Sequence, residues 1–210
     1  MLDKIKNIIE GFSLEQNSLP FNIKILEFIN ELSQYIITDI NLRKYPDIVA
    51  LGYWLRNSHI QKLKQNFQKT NQIKLPRGIA FHITPGNVDT MFAYSWLISL
   101  LAGNQNIVRL STKSGEAQQQ LVIVINTLLK SQKYKEIKQN NTFINYPHND
   151  EITAFLSSLC DVRIIWGGDE TIRKIRQYPT STTCKEIVFA DRFSLALFNS
   201  KEILLSDNLD

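Results

Sequence analysis

The chain has 210 residues and a formal charge of +4, with 24 Lys and Arg against 20 Asp and Glu and no block of like charge. That balance permits an anionic ligand but gives no basis for a nucleic-acid partner. Hydrophobic residues make up 43% of the chain, including eleven Phe, seven Tyr and three Trp, enough to fill a core and to exclude disorder throughout.

The N-terminus, MLDKIKNIIEGF, lacks the long apolar core and small-residue cleavage site of a signal peptide. Residues 1–75 read as a helical segment. Phe21, Ile25, Phe28, Leu32, Tyr35 and Ile36 fall at helical spacing over 21–37, behind Pro20, which suits a helix start. Pro46 marks a break, and Ile48, Leu51, Leu55 and Trp54 form the apolar stripe of the next helix. LPRG at 75–78 is the expected boundary with an α/β domain over 76–210.

From there short apolar strands alternate with helical patterns. Strands are expected over 78–83, 106–110, 142–146, 162–166, 186–189 and 194–198, and helices over 88–102, 115–129, 150–159 and 169–176. This alternation predicts βαβ units, a mostly parallel sheet and helices on both faces. The apolar run at 88–102 falls short of the about 20 residues of a membrane span and holds Asp89, so it reads as a buried helix, with no membrane span and a cytoplasmic location.

Ligands of such sheets sit beyond the carboxyl ends of the strands. Three turns are expected there: HITPGN at 82–87, RLSTKSGE at 109–116 and WGGDE at 166–170. Gly167 and Gly168 would let a phosphate approach a helix N-terminus; equally they form a tight turn with Asp169 as N-cap. Arg109, among the donors Ser111, Thr112, Lys113 and Ser114, could pair with phosphate or sugar, or be a solvated strand-end charge. His82 reads as a satisfied core histidine or a base. Asn87 either caps the following helix or offers its amide to a developing oxyanion. Asp150 and Glu151 read as helix-start acids. Two cysteines cannot make a disulfide scaffold, their spacing matches no zinc site, and no metal is expected. Cys160 reads as core, and Cys184 has no evident base beside it.

Taken together, FHITPGNVDTMFAYSWLISLLAGNQNIVRLS, WGGDETIRKIR and EIVFADRFSLALF resemble the acyl-CoA reductase family, relatives of the aldehyde dehydrogenases that include the fatty-acid reductase of bacterial bioluminescence. The resemblance runs over about residues 76–200 and implies an aldehyde-dehydrogenase-like nucleotide-binding domain that uses NADPH to reduce acyl-CoA to aldehyde. A cysteine thiolate attacks the thioester, and the acyl-enzyme is reduced to a thiohemiacetal that collapses to product. The resemblance gives Asn87, in the turn Pro85-Gly86-Asn87, the role of oxyanion support. It assigns Thr84, Pro85, Arg109, Ser111, Thr112, Gly167 and Gly168 to the cofactor. Thr112 stands where NAD-preferring relatives often carry an acid that would repel a 2′-phosphate, so NADPH is expected over NADH. The family's cysteine is expected after the strand pair near 187–198, and neither Cys160 nor Cys184 matches it. The resemblance therefore implies the N-terminal, cofactor-binding portion of a reductase, inactive alone. The competing expectations are a non-catalytic assembly module or split-protein half that needs a partner, a homo-oligomer among them, and a hydrolase built on Cys184.

Overall fold

The computed structural model describes residues 9–14, 18–70, 72–113, 115–190 and 195–196. Helix α1 spans Ile23–Thr38, with Asn22 as its cap accepting from the Lys24 amide at 2.8 Å. It starts two residues later than the periodicity predicts. Phe21 takes a positive φ of 53° and its amide bonds to the Leu101 carbonyl, so the chain turns there rather than winding. Ile25, Phe28, Ile29, Leu32 and Ile36 form the buried stripe, while Tyr35 stays 38% exposed. A 3-10 turn (Ile40–Lys44) leads to α2 (Pro46–Trp54), with Pro46 at its first position, and then to α3 (Asn57–Gln68). Gly52 lets α1 and α2 approach closely: a Cβ there would lie 2.6 Å from Ile36.

The α/β part follows as β1 (Ile79–Ile83), α4 (Met91–Leu101), β2 (Gln105–Arg109), α5 (Glu116–Leu129), α6 (Lys135–Gln139), β3 (Asn141–Ile144), α7 (Asp150–Leu159), β4 (Val162–Trp166), α8 (Asp169–Arg176) and β5 (Lys185–Phe189). The sheet order is β3-β2-β1-β4-β5, with every pairing parallel. Of the strand expected over 194–198 only 195–196 are described, and those two are not in a strand; the rest lies outside the described residues. No described helix is long and apolar enough to cross a membrane.

Helices cover both faces. Phe28, Leu51, Trp96 and Ile125, from α1, α2, α4 and α5, share one core over one face, so the N-terminal helices and the α/β helices are packed as a unit. Phe81, Ile107, Leu156, Ile165 and Ile172 form a second core beneath α7 and α8. The amino ends of β1, β4 and β5 are pinned by Asp161. Its carboxylate accepts from the Ile79 amide at 2.9 Å, its own amide bonds to the Ile79 carbonyl, and its carbonyl accepts from the Lys185 amide. Gly78 (φ 117°) allows this, since a Cβ would stand 2.1 Å from the Asp161 carboxylate. β5 is further tied to β4 by Arg163, which donates to Glu186 at 2.7 and 3.1 Å. Burial pushes the Glu186 carboxyl up, but the bonds from Arg176 and Arg163 together hold it below its ordinary value.

A polar chain crosses the sheet beneath α4. Trp166 Nε1 donates to Ser95 Oγ at 3.3 Å, and Ser95 Oγ lies 2.9 Å from His82 Nδ1. His82 Nε2 meets Asn106 Oδ1 at 3.0 Å, Asn106 Nδ2 donates to Asn141 Oδ1 at 2.8 Å, and Asn141 Nδ2 donates to the Ile137 carbonyl at 2.6 Å. Trp96 Nε1 also donates to Asn141 Oδ1, at 2.7 Å. Asn106 Oδ1 can only accept, so Nε2 carries the imidazole proton and Nδ1 takes the serine's. His82 is therefore a neutral, satisfied core histidine. Burial pushes it down from 6.5 to about 4.

This sets a pH dependence of stability. The unfolded histidine binds a proton near pH 6.5 and the folded one only near 4, so its contribution is complete above 6.5 and is lost as pH falls through the folded value. Urea unfolding should show a loss of about 2 kcal/mol between pH 7 and pH 5. His82→Gln should be less stable at neutral pH and lack that slope; a wild-type profile flat over the window would overturn the assignment.

Candidate functional site

The sheet order reverses between β1 and β4, because the chain fills β2 and β3 on one side of β1 before crossing to the other. The crevice at such a switch point is where open α/β sheets bind ligands. A cleft of about 460 Å³ opens there, lined on one side by Thr84 and residues 109–113, and on the other by His148, Glu170, Thr171, Lys174 and Ile175.

Arg109 is the last residue of β2. Its guanidinium lies 4.7 Å from the centre of the Tyr146 ring, just beyond β3, and its Nε is buried without a hydrogen-bond partner among the described residues. A buried guanidinium N–H left unpaired is costly, which makes it the donor in the cleft that most needs an acceptor. Thr84 is committed within the protein: its hydroxyl donates to the Arg109 carbonyl at 2.8 Å and its amide to the same oxygen at 3.4 Å. Ser111 Oγ accepts from the Lys113 amide at 3.1 Å. It also sits where a Cβ on Gly86 would come within 2.5 Å, so glycine is needed for the two loops to touch. Asp89 makes the second stitch, accepting from the Gly115 amide at 2.8 Å. Thr112 and Lys113 line the cleft; Ser114 lies outside the described residues.

Across the cleft, α8 begins with Gly168 as its N-cap and no side-chain cap, so Asp169 is the first helical residue and not the cap. Its first-turn amides have no intrahelical partner, and the positive end of the helix dipole is there. Gly167 turns the chain out of β4, its amide held by the Phe189 carbonyl at 3.2 Å. Lys174, in the second turn of the same helix, meets His148 Nε2 and lies 3.4 Å from Asp150. Asp150 also accepts from the Tyr178 hydroxyl at 2.7 Å, which holds its carboxyl below the ordinary value. Burial and that bond push Tyr178 up to about 12. Asp150 and Glu151 open α7 behind the Asn149 cap. Arg109, Lys113 and Lys174 set three cations around the cleft against Glu170.

Of the residues singled out from sequence, Thr84, Arg109, Ser111 and Thr112 line this cleft, whereas Pro85, Asn87, Gly167 and Gly168 stand in the adjoining turns. Asn87 does not cap a helix. α4 starts at Met91 after Thr90, without a side-chain cap, and Asn87 is exposed, its carboxamide unpartnered among the described residues. Tyr146, His148 and Lys174 were not singled out; they are distant in sequence and only the fold brings them to Arg109. Cys160 and Cys184 precede β4 and β5, and so lie at the opposite edge of the sheet, a strand length of about 16 Å away.

A sequence model of acyl-CoA reductase (LuxC) matches residues 54–209. The chain belongs to the acyl-CoA reductase family. The long-chain acyl-protein thioester reductase of Aliivibrio fischeri is 27% identical over 170 residues, covering 80% of this chain but 32% of the relative. The chain thus spans about a third of that reductase's length. Among solved structures, the fold is similar to glyceraldehyde-3-phosphate dehydrogenase GapN from Methanocaldococcus jannaschii complexed with NADP, with TM-score 0.59, 16% identity, and 89% of this chain and 45% of that one covered. It is also similar to AldH of Staphylococcus aureus in a substrate-bound state, with TM-score 0.58, 17% identity, and 90% and 45% covered. The likeness to both dehydrogenases is one of fold, extending over slightly less than half of each.

Because Asn87 neither caps α4 nor packs, Asn87→Ala should leave stability within about 0.5 kcal/mol of wild type in urea unfolding. A loss above about 1 kcal/mol would return it to a structural role.

Proposed function

We propose that the chain is the NADPH-binding portion of a reductase that converts acyl-CoA, or another acyl thioester, to aldehyde, with residues 76–210 as the cofactor unit braced by residues 1–75. The observation that carries this is the buried, unpaired Nε of Arg109 on the wall of a cation-rich cleft at the switch point. Membership of the acyl-CoA reductase family and the NADP complex among similar folds support it.

Each residue's part follows from its position. Arg109, steadied on Tyr146, offers Nε to the ribose or phosphate oxygens of the nucleotide. Thr112 leaves room for a 2′-phosphate that a carboxylate would repel, and Lys113 beside it supplies charge. Gly167 and Gly168 let the pyrophosphate reach the uncapped first turn of α8. The bound cofactor supplies hydride. Asn87, exposed and uncommitted in the turn after β1, is free to donate its amide to the thioester oxygen as charge develops there. Neither cysteine can be the nucleophile on this edge, because both stand just before their strands at the opposite end of the sheet. With neither thiol at this edge, the chain alone turns over nothing.

An NMR titration with NADPH, carried to millimolar concentration, tests this. Arg109→Ala should weaken binding at least about tenfold, the value of one hydrogen bond to a charged group. NADH should bind more weakly than NADPH. Equal, measurable affinity in wild type and variant would remove Arg109 from the site.

A second reading, an assembly module, is favoured by one observation. Beside α4, Ile98, Ile187 and Phe189 are 56%, 47% and 37% exposed around Trp166, which stacks on Phe189. Contiguous apolar surface of this kind marks an interface. Light scattering should therefore show association that Ile98→Lys with Ile187→Lys abolishes; a stable wild-type monomer would count against this reading.

A further inference from the structure

We propose that Cys160 and Cys184 form a redox-active dithiol, which closes to a disulfide by exchange with a low-molecular-weight disulfide such as oxidised glutathione. The topology makes the pair. Cys160 ends α7 two residues before β4, and Cys184 stands one residue before β5. The parallel register sets Val162 beside Lys185, and the Lys185 amide bonds to the Asp161 carbonyl at 2.9 Å, so the two approaches to the strands run side by side. The sulfur atoms lie 3.9 Å apart, in van der Waals contact. A disulfide needs about 2.05 Å, a closure within reach of side-chain rotation. Each thiol is otherwise engaged only weakly, Cys160 donating to the Ser157 carbonyl at 3.2 Å and Cys184 to the Lys185 carbonyl at 3.6 Å.

Exposure fixes the order of events. Cys184 is partly exposed and Cys160 is buried. The Cys184 thiol loses its proton to solvent, and the thiolate attacks one sulfur of oxidised glutathione. A protein–glutathione bond forms, the glutathione disulfide bond breaks, and one glutathione leaves as thiolate. Cys160 then attacks the Cys184 sulfur, and the second glutathione leaves with the Cys160 proton. The protein loses two protons and two electrons, and one glutathione disulfide becomes two thiols. The bond would fasten β5, whose one neighbour among the described strands is β4, covalently to the start of that strand. It lies at the sheet edge away from the cleft, so it is independent of cofactor binding.

The test incubates the folded 210-residue chain with oxidised glutathione and follows intact mass and linked peptides. Wild type should lose the mass of two hydrogens and yield a Cys160–Cys184 cross-linked peptide. Cys160→Ser should instead accumulate one glutathione, on Cys184, and Cys184→Ser should remain unmodified over the same time. A lasting glutathione adduct on wild-type Cys184, or no reaction of either thiol, would overturn the proposal.

Discussion

The hydrogen-bond chain through His82 is the constraint on which the rest of the architecture depends. It joins β4, α4, β1, β2 and β3 by side chains alone, and ends on a carbonyl of α6. A parallel sheet of apolar strands has little to choose between registers on hydrophobicity, since every residue of β1 is buried. A slip by one residue would turn His82 toward the opposite core and strand Asn106 and Asn141 without partners. Each buried polar group so abandoned costs about 1–3 kcal/mol. The register is thus enforced by what a wrong register would leave unsatisfied. The strand ends, and with them Arg109, Thr84 and Gly167, inherit their positions from it.

The alternation of strand and helix was legible because the elements are short and several are bounded by Gly, Pro or Asn. The placing of Arg109 at a strand end was legible for the same reason. The polar chain was not. Ser95, Asn106 and Asn141 are scattered among apolar neighbours, and nothing local marks them as partners of one histidine. The far wall of the cleft was equally hidden: His148 and Lys174 are 26 residues apart and meet only because α7 and α8 cover the same face. Asn87 was ambiguous for a physical reason. A turn residue shortly before an apolar run is a good cap candidate, and only the extra turn through Thr90 moves the helix start beyond its reach. The sequence match to acyl-CoA reductases reached further than local pattern because it reads many such positions at once.

The two edges of the sheet are built to different ends. At the amino edge Asp161 ties three strands, Gly78 admits it without a side chain of its own, and the two thiols lie against one another. The carboxylate, amide and carbonyl of Asp161 are all consumed there by the fold. At the carboxyl edge the fold leaves the Arg109 Nε, the Asn87 amide and the first turn of α8 uncommitted. A stable scaffold that holds uncommitted donors in fixed positions is what a preorganised binding site requires.

Thr84 spends both its amide and its hydroxyl on the carbonyl of Arg109. The backbone that carries the turn to Asn87 is therefore soldered to the backbone that carries the guanidinium. The two cannot be repositioned separately: a ligand that draws Arg109 inward drags the origin of the Asn87 turn with it. One threonine thus serves as the joint between the two turns of the crevice, so that the stance of Asn87 is set by the strand end that holds Arg109.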